Sequence, residues 1–241
     1  MKKTCISLLV VLFALNLNAQ DEPKGNDFQN EVGVTVTDLL NGSFQFKYER
    51  LIGEHISVAL GVGLKGKEGI IRLSGLDTDN ISTNDITYSG FKIIPEVRYY
   101  VNKTQLNKMD GFYFGAYLKY SNYSSDLDGT YTNDADETTP LAFDADFNVT
   151  SLGFMVGYKL PIGKRFNIDF LIAGPGAGFH NYSLKNTEDL PDEFYDDLNQ
   201  ALDQYSIFDL LDGDFEFKNT NENAKFTIPS FRYGITLGYS F

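Results

Sequence analysis

Eleven residues at the end of the chain alternate without a break. Phe231, Tyr233, Ile235, Leu237, Tyr239 and Phe241 are apolar or aromatic, and Arg232, Gly234, Thr236, Gly238 and Ser240 sit between them. Successive side chains of an extended strand point to opposite faces, so a period of two encodes a strand with one apolar and one polar face. The pattern recurs upstream. Residues 31–39 set Val32, Val34 and Val36 against Gly33, Thr35 and Thr37. Residues 43–52 set Phe44, Phe46 and Tyr48 against Gln45, Lys47 and Glu49, and 55–65 set Ile56, Val58, Leu60, Val62 and Leu64 against Ser57, Ala59, Gly61 and Gly63. Segments 88–101, 111–123, 148–160 and 166–184 follow the same rule, and with 226–241 they make eight strands. Two places disturb it. Pro95 lacks an N–H for a ladder, and the run Gly174-Pro175-Gly176-Ala177-Gly178 predicts a bulge that shifts parity and leaves the facing of His180 open.

Link lengths decide how such strands are arranged. The links after the second, fourth and sixth strands are short or moderate, while 66–87, 124–147 and 185–225 are long; only the first link, at Asn41-Gly42, is short on the long side. Short turns on one rim and long loops on the other fit an up-and-down barrel that spans a membrane. A mean hydropathy of -0.23 excludes a bundle of membrane helices but not this, because alternating strands average to neutral. The fold class expected is therefore all-β: an eight-stranded antiparallel up-and-down transmembrane β-barrel with a short helix in the last outer loop. A sandwich gives no reason for loops to segregate by length.

The N-terminus reads as an address. Lys2 and Lys3 precede an uncharged run from 6 to 15, and Leu17-Asn18-Ala19 offers a cleavage site, which is the layout of a secretory signal peptide over 1–19. Residues 20–30 are then a short periplasmic leader and 31–241 the barrel. Cys5, the one cysteine, lies inside the signal, so no disulfide framework and no cysteine-based zinc site is available. Acids outnumber bases 33 to 20, for a net charge of -13, which argues against a nucleic-acid partner.

The terminal series Tyr233-x-Ile235-x-Leu237-x-Tyr239-x-Phe241 resembles the last strand of small bacterial outer-membrane β-barrel proteins. The segments FKIIPEVRYY (91–100), GFYFGAYLKY (111–120) and GYKLPIGKRFNID (157–169) are similar to an uncharacterised family of small barrels, a domain of unknown function. The resemblance implies a barrel in the bacterial outer membrane, inserted by an assembly machinery that reads the terminal strand. It brings no catalytic residues.

If the apolar face meets lipid, Lys47, Glu49, Lys92, Glu96, Arg98, Lys119, Lys159, Asp169 and Arg232 share the lumen. A lysine or arginine on the lipid face near the midplane costs about 2–4 kcal/mol, whereas inside the barrel it can pair. Eight strands enclose only enough room for side chains, so an ion-pair network that plugs the lumen is expected. The inverse arrangement, with charges outward around a dry lipocalin-like cavity, has the same periodicity. With no Trp in the chain, Tyr99, Tyr158, Tyr239 and Phe241 are expected to anchor the inner interface, and Tyr120, Phe226 and Phe231 the outer one.

The outer loops are acidic. The link 124–147 carries seven acids and no base, and 185–225 holds an amphipathic helical pattern in Leu190, Phe194, Leu198, Ala201, Leu202, Tyr205 and Phe208, with Pro191 in its first turn. It is expected to lie over the barrel mouth as a lid. Asp134, Asp136, Glu137, Asp212 and Asp214 are candidates for a divalent cation, though none completes an EF-hand. No other cofactor is expected. His180, with Ser183 three residues on, is the one place for a lipid hydrolase, and odd spacing puts the two on opposite faces of an unbroken strand. The expected function is non-enzymatic: a monomeric barrel acting structurally or through its acidic loops, which would meet outer-membrane lipid or a partner. The alternative is passage of small apolar ligands through a lateral opening near Pro95 or 174–178, and a third reading is the His180 hydrolase.

Overall fold

The alternation resolves into a ring of strands closed on itself. The computed structural model describes residues 28–67, 69–70, 74–101, 107–186, 190–203 and 223–241. Its elements are β1 (Asn30–Thr35), a 3-10 helix (Thr37–Asn41), β2 (Ser43–Leu51), β3 (Ile56–Lys65), β4 (Ile81–Thr83), β5 (Thr87–Tyr100), β6 (Gly111–Thr132), β7 (Thr138–Ile162), β8 (Phe166–Asn186), α1 (Asp192–Asp203) and β9 (Asn223–Ser240). Around the ring β1, β2, β3, β5, β6, β7, β8 and β9 pair antiparallel in turn, and β9 returns to β1 with Val32 opposite Tyr239 and Val34 opposite Leu237. Every wall strand therefore has two neighbours, and the ladder has no open edge. Short β4 lies outside the ring of eight and pairs with the upper end of β6, above β5.

The two faces separate by polarity. On β2, Phe44 is 53 % exposed while Lys47 is 3 % exposed, and outward Phe154 and Tyr233 reach 77 % and 73 %. The apolar face is outside and the charged face is inside, which overturns the lipocalin-like inversion. The lumen's apolar packing comes from Leu51, Ile94, Tyr100, Met109, Tyr113, Tyr117 and Met155.

Several boundaries differ from the sequence expectation. The first strand stops at Thr35, because the chain turns into the 3-10 helix, which Gly42 ends in a left-handed conformation at φ 74. The link 124–147 is no loop: β6 and β7 run on through it, paired from Ser124–Asp146 up to Thr132–Thr138, and leave only the turn at 133–137. Phe226 belongs to the inward face of β9, stacked on His180 at 5.0 Å between ring centroids, and is no interfacial anchor. The ladder between β5 and β6 is interrupted at Ile94 and Pro95, while the β3 side stays continuous through Leu60–Pro95. A missing N–H on one side of the strand accounts for that. On β8 the bulge falls between Leu171 and Gly174. It turns Gly174, Gly178 and His180 inward.

Above the barrel, the inward face of the extended β6–β7 hairpin carries a second core. Tyr131, Leu141 and Phe143 join Ile81 of β4 and Leu190, Phe194, Tyr195 and Leu198 at α1. The helix forms because Pro191 suits its start, Asp192 and Glu193 complement its dipole in the first turn, and Phe194 and Leu198 fall four apart on one face. It packs on the wall that continues the lumen side upward. The signal peptide (1–19), the leader as far as residue 27, Tyr205, Phe208, Asp212 and Asp214 lie outside the described residues, as do the side chains of Ala201 and Leu202.

Candidate functional site: the charged lumen and its outer cavity

The lumen charges form layers. At the short-link end, the ammonium of Lys159 donates to Glu31 Oε1 and Glu49 Oε2, each at 2.9 Å, with all three side chains fully buried. Glu49 also accepts from Ser57 Oγ at 2.6 Å and from the Tyr100 hydroxyl at 2.5 Å. Asn167 Nδ2 donates to Glu31 at 2.7 Å. A buried carboxylate is tolerated when its lone pairs are occupied, and here they are.

The middle layer is centred on Arg98. Its guanidinium donates to Glu96 at 2.6 Å, to Asp169 at 2.7 Å and to Glu49 at 3.3 Å, and lies 4.5 Å over the Tyr113 ring. Lys47 pairs with Asp169 and stands 3.8 Å from Glu49, and Tyr113 donates its hydroxyl to Asp169 at 2.7 Å. The fork of Arg98 reaches carboxylates from its own strand, from β2 and from β8, so a single side chain ties three parts of the wall together.

Toward the long-link rim the pairing thins. Arg232 gives Nη2 to Glu96 at 2.9 Å and lies 4.4 Å over the Tyr117 ring. Lys92 pairs with Asp38 of the 3-10 helix at 2.6 Å. Lys65 donates to the Gly66 carbonyl at 2.9 Å and covers the Tyr88 ring at 4.5 Å. Among the described residues, Lys119 has no carboxylate at ion-pair distance. These groups border a cavity of about 320 Å³ in the outer half of the lumen, whose lining includes Asp38, Lys65, Lys92, Lys119 and Arg232.

Seven of the nine lumen residues named from the sequence thus share one network, Lys92 pairs separately with Asp38, and Lys119 stands beside them. Sequence reasoning missed Glu31, Asp38, Ser57, Tyr100 and Tyr113 as partners. Glu31 was within reach of the parity rule, since it shares a face with Gly33 and Thr35. Asp38 was not, because a 3-10 turn rather than a strand delivers it. Tyr233, Ile235, Leu237 and Tyr239 lie along the outward face of β9, and Phe241 closes the seam by exchanging backbone hydrogen bonds with Asn30 at 2.8 and 3.2 Å.

Asp134, Asp136 and Glu137 occupy the hairpin turn, where Asn133 Oδ1 accepts from the backbone N–H groups of Ala135 and Glu137 at 3.0 and 2.9 Å. Among the described residues no group of three or more His, Cys, Asp or Glu is placed to hold a metal ion. His180 faces inward on the unbroken stretch above the bulge, so Ser183 falls on the opposite face.

A closed ring of eight antiparallel strands, apolar outside and charged inside, defines a small β-barrel whose wall is built to meet hydrocarbon. The chain belongs to the family described as a protein of unknown function (DUF3575), whose model matches residues 24–192. It is similar in structure to CarO of Acinetobacter baumannii, with 11% identity and a TM-score of 0.43 over 91% of this chain and 99% of that one. It is also similar to a major outer membrane protein of Thermus thermophilus, with 16% identity and a TM-score of 0.38 over 89% of this chain and 98% of that one. No curated protein matches the chain.

Proposed function

We propose that this protein is a small, monomeric, non-enzymatic barrel of the bacterial outer membrane, exported by its signal peptide, with a plugged lumen and a role at the cell surface. The observation that carries the reading is the burial of the lumen network. Glu31, Glu49, Ser57, Tyr100, Tyr113 and Lys159 are all at 0 % exposure, so side chains fill the cross-section at the short-link end. A continuous water path needs a gap there. The outer wall supplies the hydrophobic belt for lipid, and the terminal series from Tyr233 to Phe241 supplies an assembly signal. The acidic hairpin above the membrane, with Asp126, Asp128, Asp144 and Asp146 exposed on its strands, is the surface offered to headgroups or to a partner.

Two measurements test this. Gel mobility of the outer-membrane fraction, unboiled against boiled, reports a closed ladder that resists detergent until heated. Planar-bilayer recording of the purified barrel reports the plug. The reading expects a mobility shift and a silent bilayer. A soluble periplasmic protein without a shift overturns the location, and stepwise conductance overturns the plug.

A further inference from the structure

The lumen is not uniformly neutral, and its imbalance is concentrated where the pairing thins. The cavity lining includes six cationic side chains, Lys47, Lys65, Lys92, Arg98, Lys119 and Arg232, against the three carboxylates of Asp38, Glu96 and Asp169. Lys47 and Arg98 are held by the carboxylates below them, and Lys92 by Asp38. Among the described residues, Lys65 has a backbone carbonyl and the Tyr88 ring but no carboxylate at ion-pair distance, and neither does Lys119. Lys92 and Arg232 act on Lys119 as like charges, and Asp38 acts on it as an opposite one. Among the described residues, Arg232 Nη1, Ser43 Oγ and Asn41 Oδ1 are buried without a hydrogen-bond partner, and all three residues line the same cavity. Ser43 itself is 3 % exposed. Buried polar groups are satisfied in the great majority of cases, so two unpartnered donors and one unpartnered acceptor around one cationic cavity point to a partner from outside the chain, and a hydrogen phosphate both accepts and donates.

We infer that the outer cavity is a binding site for a small oxyanion of the phosphate class, held by Lys119, Lys65 and Arg232 Nη1. The charge fits: two lysines with no carboxylate at ion-pair distance among the described residues match a dianion, and an arginine N–H and a serine hydroxyl supply hydrogen bonds to its oxygens. The size fits as well, since 320 Å³ lies at the small end of ligand pockets and suits a compact anion with a few waters. The acidic hairpin above opposes entry of anions, but its field decays over about 8 Å at physiological salt, and the lysines dominate inside. A phosphate group can arrive as free phosphate or on a lipid headgroup, and the chemistry of capture is the same.

The test is calorimetric titration of the folded full-length barrel in detergent with inorganic phosphate. Saturable one-to-one binding is expected, weakened about tenfold or more in Lys119→Gln and in Lys65→Gln, because each removes a charge-assisted contact. Lys119→Arg is expected to keep most of the affinity. No saturation in the wild type, or equal affinity in wild type and both glutamine variants, overturns the site. Each variant is first checked for its heat-dependent gel mobility, so loss of the barrel is told apart from loss of the anion. Repeating the titration in vesicles of phosphatidylcholine, with and without phosphatidic acid, separates the sources. A headgroup ligand suppresses phosphate binding only where phosphatidic acid is present, whereas a free-phosphate site binds equally in both.

Discussion

Lys159 on β7 stands 2.9 Å from Glu31 of β1 and 2.9 Å from Glu49 of β2, so one ammonium ties β7 across the lumen to a pair of strands with which it shares no ladder. Its removal leaves two carboxylates buried with too little compensation. Breaking a buried ion pair by deleting one partner costs about 3–5 kcal/mol, so Lys159→Met is expected to lower barrel stability by that order. The check is the urea midpoint of unfolding, followed by the unboiled gel band. The double variant Lys159→Met with Glu49→Gln is expected to recover part of the loss, because it removes one of the stranded charges.

Glycines make room for the tyrosines that fill the lumen. A Cβ added at Gly157 runs into the Tyr113 ring, which is fully buried and hydrogen-bonded to Asp169 and therefore unable to swing away. At Gly63 the obstacle is the flexible Lys92 chain, with its Cε at 2.6 Å, and at Gly53 nothing lies within 4 Å. Overpacking of this kind costs about 1–3 kcal/mol. Gly157→Ala is expected to destabilise at the upper end of that range, Gly63→Ala less, and Gly53→Ala hardly at all, as read from the same urea midpoints.

These side chains also show how far a sequence of this kind can be read. Parity alone put Tyr113, Lys119 and Lys159 on the polar face, since nothing interrupts their strands. The extension of β6 and β7 was encoded too, in Leu141, Phe143 and Ala145 at alternate positions, but Asp144 and Asp146, with the acids of the turn, imitate a solvated loop. Two things were not encoded locally. The residue that absorbs the bulge on β8 is set by pairing with β9, where Leu171 faces Gly234 and Gly174 faces Arg232. The contact between Asp38 and Lys92 spans 54 residues and depends on a helical turn at the rim.

Asp197 holds α1 against the hairpin by accepting from Asn80 Nδ2 at 2.7 Å and from the Tyr131 hydroxyl at 2.9 Å. Burial and the hydrogen bond to Asp197 push the Tyr131 phenol up to about 12. A raised phenol contributes stability that is complete below the ordinary tyrosine value of about 10 and is lost as pH rises through 12. Ultraviolet titration of the folded barrel is expected to include a step near pH 12 that is missing in Tyr131→Phe. Asp197→Asn keeps a hydrogen-bond acceptor but removes the charge, and is expected to move the step to lower pH.

Pro95 leaves the β5–β6 wall short of backbone pairing at Ile94 and Pro95, although its other side keeps the register with Leu60. Its side chain lies on the outward face, so Val there changes little in the lumen and supplies the missing N–H. A backbone hydrogen bond contributes about 1 kcal/mol net. Pro95→Val is therefore expected to raise the urea midpoint by that order. It is also expected to slow hydrogen exchange at Leu118 and Lys119, the β6 residues facing the interruption. An unchanged midpoint with unchanged exchange means that another group already satisfies the β6 backbone there, and the wall is closed at that point despite the proline.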